Sequence, residues 1–149
     1  MKRNVVSIRE DASIAAAARE CIDRHVGVLP VLNARDIPIG IVTLPDLMKL
    51  ELPDFVSLVR EADFVHDFGA VETTRPDPAS LTQPITQLMK PILTIEPKCG
   101  LLRAYSLMIQ HNLNDLVVTQ PDGQLAGLVS RVDIGTAILS SWFEADHSR

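Results

Sequence analysis

Two short stretches of this chain carry residue types that could hold a ligand. Gly40-Ile-Val-Thr43-Leu-Pro-Asp46 and Gly127-Leu-Val-Ser130-Arg-Val-Asp133 place a glycine, a hydroxyl and a carboxylate at one spacing. A hydroxyl beside the unpaired N–H groups of a helix start makes an anion site. A fixed carboxylate can accept hydrogen bonds from both vicinal hydroxyls of a ribose. A missing side chain lets another backbone or a flat ring come close. The same residues also serve a helix alone, with Thr43 and Ser130 as caps and Asp46 and Asp133 complementing the dipole. Arg131 follows Ser130 where Leu44 follows Thr43. A guanidinium there can meet a phosphate with two hydrogen bonds or stand as a solvated surface charge; on the first reading the second stretch is expected to serve an adenosine ligand at least as well as the first.

Other residues with chemical potential resolve into ordinary structure. Asp67-Phe68-Gly69 spells the metal-binding tripeptide of protein kinases, but no glycine-rich phosphate loop accompanies it, so it reads as a turn. His25, His66, His111 and His147 are scattered without metal-ligand spacing. Cys21 and Cys99 have no identifiable base beside them and read as small apolar groups. No cluster of base, nucleophile or metal ligands supports catalysis, and the expectation is a protein that is not an enzyme.

The elements that position the two stretches follow from an internal repeat. Shifted by 87 residues, Val6–Leu47 falls on Leu93–Ile134 without a gap, and 8 of the 42 pairs are identical. Chance would give roughly three for this composition. Each repeat reads as strand, helix, strand, strand, helix. Val5–Ile8 and Ile92–Ile95 are β-branched runs. Ser13–His25 and Gly100–His111 carry apolar residues at spacings of three and four. Val28–Leu32 and Leu116–Thr119 return as hairpins into Ile39–Thr43 and Leu125–Ser130. A helix then starts near Pro45 and near Val132. Between the repeats, Phe55, Leu58, Val59 and Ala62 predict a helix over 53–65, residues 73–80 read as exposed linker, and 84–89 as a short helix. The expected organisation is a first repeat over 1–50, an inserted helix and linker over 51–84, and a second repeat with a C-terminal helix over 85–149.

Composition sets the outer limits. The chain has 149 residues, 46% of them apolar and 22% charged, which suits one self-sufficient globular unit. Its net charge of −5 argues against a partner held by phosphate neutralisation, so no nucleic acid is expected. No apolar run reaches the roughly 18 residues of a membrane span. The first residues carry no secretory pattern. A cytoplasmic protein is expected.

The β-α-β-β-α repeat, with Gly27-Val-Leu-Pro-Val31 in the middle and Gly40–Asp46 at the close, resembles the CBS domain. The second copy matches through Leu88-Met89-Lys90-Pro91, Ile92–Ile95 and Gly127–Asp133. Two such units in tandem look like a CBS pair. The resemblance implies an α+β fold whose two units pack sheet to sheet around a pseudo-twofold axis, leaving two clefts that commonly take adenosine-containing ligands. It implies the ribose for Asp46 and Asp133 and phosphate for Thr43 and Ser130. It also places Ser7 and Thr94, hydroxyls in the first strands, near the base. Val28 and Asp115 stand where some nucleotide-sensing relatives carry a basic residue, which weighs against ADP and ATP. By the same resemblance the chain is expected to form a homodimer.

The resulting expectation is a regulatory module with no required cofactor. It would bind an adenosine compound such as AMP, ADP or ATP and act through an effector protein or its own assembly. The competing expectation is a structural interaction module with empty clefts.

Overall fold

The computed structural model describes residues 3–50 and 76–144. The helix expected over 53–65, the Asp67–Gly69 turn and the start of the expected linker lie outside those residues. The described elements are β1 (Ile8–Arg9), α1 (Ile14–Arg24), β2 (Val28–Leu32), β3 (Pro38–Thr43), α2 (Leu44–Met48) and α3 (Pro78–Leu81). A 3-10 turn at Ile85–Gln87 precedes β4 (Thr94–Ile95), α4 (Leu101–Gln110), β5 (Asp115–Thr119), β6 (Leu125–Ser130) and α5 (Arg131–Glu144). Among these no helix is long and apolar enough to cross a membrane.

The fold is α+β, with two three-stranded sheets ordered β1-β2-β3 and β4-β5-β6. In each sheet the first strand runs parallel to the middle one and the third antiparallel to it. The 87-residue offset holds at the level of register. Val28 faces Thr43 as Asp115 faces Ser130, and Val31 faces Gly40 as Val118 faces Gly127. Even the irregularity recurs, between Val31 and Leu32 and between Val118 and Thr119. Left-handed backbone falls on repeat-related positions too: His25 with Asn112 (φ 52° and 53°) and Asp36 with Gly123 (φ 64° and 89°). Such positions cost a side chain steric strain, so their repetition marks a shared turn geometry rather than local accident.

Local sequence explains the element ends. Ser13 caps α1, its hydroxyl oxygen accepting the Ala16 N–H at 3.1 Å. Ile14, Ala17 and Cys21 form the stripe that α1 buries. His25 closes the helix in the left-handed conformation, and the Val26 N–H donates back to the Cys21 carbonyl. The first strand of each repeat is shorter than its apolar run. Val5 and Ile92 leave the ladder and pack instead between the repeats.

Among the described residues three apolar clusters form the core. One lies in the first repeat around Ile14, Leu29, Val31 and Ile85, another in the second around Met108, Leu116 and Val118. The third joins the repeats, with Ile41, Val117 and Leu128 buried and Val5, Val28 and Ile92 packed on them. Two of its pairs, Ile41/Leu128 and Val5/Ile92, are repeat-related, as packing around a pseudo-twofold axis requires.

Of the linker expected over 73–80, residues 77–79 are exposed, and a short helix starts there. Asp77 accepts the Ala79 N–H at 3.1 Å and starts α3, with Pro78 in the first turn where its missing N–H costs nothing. The chain then docks on the first repeat. The Ile14 N–H donates to Gln83 O and the Ile85 N–H to Ala12 O, both at 2.8 Å, and Ile85 is fully buried. The expected short helix at 84–89 is only the 3-10 turn, because Lys90 must leave it to pair with Ile41 through reciprocal hydrogen bonds of 2.9 and 3.0 Å. Gly40 permits that approach. A Cβ there would overlap Met89 Cγ and Sδ and stand 3.0 Å from the Lys90 carbonyl oxygen.

Candidate functional site

Each hydroxyl–carboxylate pair sits where a strand runs into a helix with no intervening loop. Thr43 ends β3 and serves as N-cap of α2. Asp46 Oδ2 accepts the Thr43 amide at 2.9 Å and the Thr43 hydroxyl at 2.8 Å. Its other oxygen lies 3.4 Å from Lys49 Nζ and 3.2 Å from Lys90 Nζ. Asp46 is only 2% exposed. Burial pushes its carboxyl up, but the two Thr43 hydrogen bonds and the Lys90 ammonium outweigh this and hold it below its ordinary value.

The second pair repeats the motif in a wetter setting. Asp133 accepts the Ser130 amide at 3.0 Å, and Ser130 Oγ accepts the Asp133 amide at 3.1 Å, a reciprocal capping box at the start of α5. Asp133 is exposed. The Ser130 amide, which first of all lowers the carboxyl, keeps it below its ordinary value against a smaller burial cost.

Two cavities flank the junction between the repeats. The larger, about 600 Å³, is walled by Ile41 and Thr43 from the first repeat and by the 112–115 loop, Lys90 and Pro91 from the second part of the chain. The smaller, about 310 Å³, is walled by Leu128, Ser130 and Asp133 and by the 25–28 loop. The 87-residue shift carries one wall set onto the other. Gly27, Val28 and Asp115 line both cavities. Val28 and Asp115 are themselves repeat-related, so one carboxylate and one isopropyl group occupy equivalent places. Burial, and then the nearby Asp133, push the Asp115 carboxyl above its ordinary value.

The sequence-derived candidates separate into those at the cavities and those elsewhere. Thr43, Ser130 and Asp133 line them, while Asp46 lies buried beneath Thr43. Ser7 lines a different hollow beside Glu20 and Arg24, and Thr94 is exposed on β4. Arg131 corrects the expectation drawn from it. Its Nε donates to Leu113 O at 2.6 Å and its Nη2 to Met108 O at 3.4 Å, so the guanidinium ties down the end of α4 and is not among the groups lining the Ser130 cavity. Carbonyls in and just after the last turn of a helix are good acceptors for a cation, and these two hold it. Among the described residues the cation that lines these cavities is Lys90, in the Thr43 cavity, which reverses the expected charge ranking of the two clefts. Lys90 lies just ahead of the second repeat segment, 93–134, and has no partner in the repeat. Asn112 and Asn114 line the same cavity and carried no motif.

Comparison with known proteins agrees with this architecture. The family model of the CBS domain matches residues 1–52 and 85–140. The uncharacterized protein MJ1404 of Methanocaldococcus jannaschii is 27% identical over 135 residues. That match covers 90% of this chain but 30% of MJ1404, so the chain spans under a third of its relative. The CBS domain protein PAE2072 from Pyrobaculum aerophilum, solved with AMP, is similar in fold with a TM-score of 0.65 and 23% identity, over 89% of this chain and 85% of that one. The CBS domain pair of MJ0100, solved with 5′-methylthioadenosine and S-adenosyl-L-methionine, gives a TM-score of 0.67 at 16% identity, over 95% and 93% of the two chains. With both repeats matched, in sequence and in register, this chain belongs to the CBS-domain family.

Proposed function

We propose that the chain is a regulatory module that binds an adenosine-containing ligand at the junction of its repeats and performs no catalysis. One observation carries the reading: two repeat-related cavities, each walled by the hydroxyl-bearing helix start of one repeat and the entry loop of the other. Asp133, exposed with one carboxylate oxygen free of protein hydrogen bonds among the described residues, is suited to a ribose. Lys90, half-exposed in the Thr43 cavity, is suited to a phosphate. AMP and S-adenosyl-L-methionine in the structures of PAE2072 and MJ0100 support the ligand class.

The same reading gives the chain an output through its assembly or an effector protein. A ligand shifts such an equilibrium only by binding one state better. Exposed apolar side chains on the helices, Ile22, Met48, Ile109 and Leu139 among them, offer surface for a homodimer. We place this activity in the cytoplasm. A structural module with empty clefts is the alternative, favoured by the closed hydrogen bonding around Asp46. A thermal-shift screen of AMP, ADP, ATP, S-adenosylmethionine and cyclic dinucleotides separates the two. Ligand at about a hundred times its Kd adds about 2.7 kcal/mol to stability, which the midpoint reports. A midpoint unmoved by every compound supports the structural module.

A further inference from the structure

We propose that the Ser130–Asp133 cavity selects a nucleoside bearing a positively charged 5′ substituent and disfavours a 5′ phosphate. The inference rests on the adenosine reading above and adds the charge of the ligand. The cavity has two carboxylates in its walls, Asp115 from β5 and Asp133 from α5, and His25 from the end of α1 is the other titratable group lining it. The guanidinium of Arg131, which follows Ser130, is spent on backbone carbonyls of Met108 and Leu113. Lys90 lines the adjoining cavity instead.

The two carboxylates differ in what holds them. Asp133 is engaged by the Ser130 amide and stays available to ribose hydroxyls through its second oxygen. Asp115 is half-buried and its side chain accepts no hydrogen bond from the described residues. It stands across the strand pair from Ser130 and lines the same cavity as Asp133, so an anion bound there meets two carboxylates. A cation there relieves the repulsion between the two carboxylates, and a phosphate deepens it. Asp115 borders the adjoining cavity too, but there Lys90 stands with it and Asp46 is buried, so the contrast between the two cavities is Asp133 against Lys90.

Three probes share the adenosine core and carry a cationic, a neutral and an anionic group at the 5′ position: 5′-amino-5′-deoxyadenosine, adenosine and AMP. Each is titrated by NMR into the whole chain at pH 7.5. The amides of Leu128 and Ser130 report this cavity, and those of Thr43 and Lys90 the adjoining one. The amine is expected to bind here about ten- to a hundredfold more tightly than AMP, the range of one charge-assisted contact. Asp115→Asn keeps the shape and is expected to cut that preference at least tenfold; Asp115→Val, copying position 28, does the same. AMP binding at Leu128 and Ser130 as tightly as the amine overturns the inference and leaves the adenosine reading standing. An amine preference unchanged in both variants also overturns it. No response to any probe overturns both.

Discussion

Replacing Asp46 and Asp133 by alanine in separate variants tests whether burial sets the role of one motif used twice. Asp46→Ala removes the acceptor of the Thr43 amide and hydroxyl, at 2.9 and 2.8 Å, in a site 2% exposed. Hydrogen bonds to a charged group are worth about 1.5–3 kcal/mol each, and dropping the buried carboxylate returns part of that as desolvation no longer incurred. The ammonium groups of Lys49 and Lys90 are 65% and 49% exposed and return to water at little cost. The net loss is about 2–4 kcal/mol. In a chain this size it lowers the melting midpoint by about 5–15 °C. Asp133→Ala removes one exposed capping box, worth about 0.5–2 kcal/mol, or about 2–6 °C. Thermal unfolding followed by circular dichroism reads both. The pH dependence adds a second check. Asp46 has a lowered carboxyl in the fold, so its contribution is complete at neutral pH and disappears as pH falls through that lowered value. The gap between wild type and Asp46→Ala therefore closes in acid, below about pH 4. Equal losses in the two variants, or a gap that widens in acid, would refute the assignment of Asp46 to the fold.

Gly40→Ala forces a Cβ into Met89 and toward the Lys90 carbonyl, and should cost about 1–3 kcal/mol in chemical denaturation. Asp115→Val should stabilise by about 0.5–1 kcal/mol at neutral pH through apolar burial on a strand. That gain should shrink as pH falls through the raised Asp115 value, because protonation removes the same penalty in the wild type; melting curves from neutral to acid pH measure it. Arg131→Ala should loosen the end of α4 and speed amide exchange at His111, Asn112 and Leu113, while leaving affinity for AMP in the Thr43 cavity within about threefold, measured by calorimetry.

The repeat was legible because its signals are local and doubled. Strand, turn and cap residues recur at one offset, and the register follows them residue for residue, down to the paired left-handed positions. The candidate site was legible only in part. Thr43–Asp46 and Ser130–Asp133 are the same words in sequence, yet one carboxylate is buried under a lysine and the other faces water. That difference comes from the segment around Met89 and Lys90, which crosses from the far side of the insertion to lie on β3. A long-range contact of this kind leaves no periodic trace. The place of Arg131 is hidden for the opposite reason. Its neighbour in sequence is Ser130, but its long side chain reaches the carbonyls of Met108, in the last turn of α4, and of Leu113, just after that helix.

The stretch from Gln83 to Lys90 also decides where the chain could be divided. It follows the insertion in sequence but supplies Ile85 to the first core, a strand-like pairing to Ile41 and an ammonium to Asp46. A cut ahead of it would leave the first fragment with an isoleucine-sized hole and the second with a greasy, unanchored leader. A cut between Pro91 and Ile92 would give each fragment its own complete core, with only the shared cluster around Ile41, Val117 and Leu128 left to close. Fragments separated at that seam should reassociate when mixed, and fragments separated ahead of Gln83 should precipitate. The two halves are thus spliced like timbers with an overlapping joint, and the overlap, rather than the covalent link, keeps them in register.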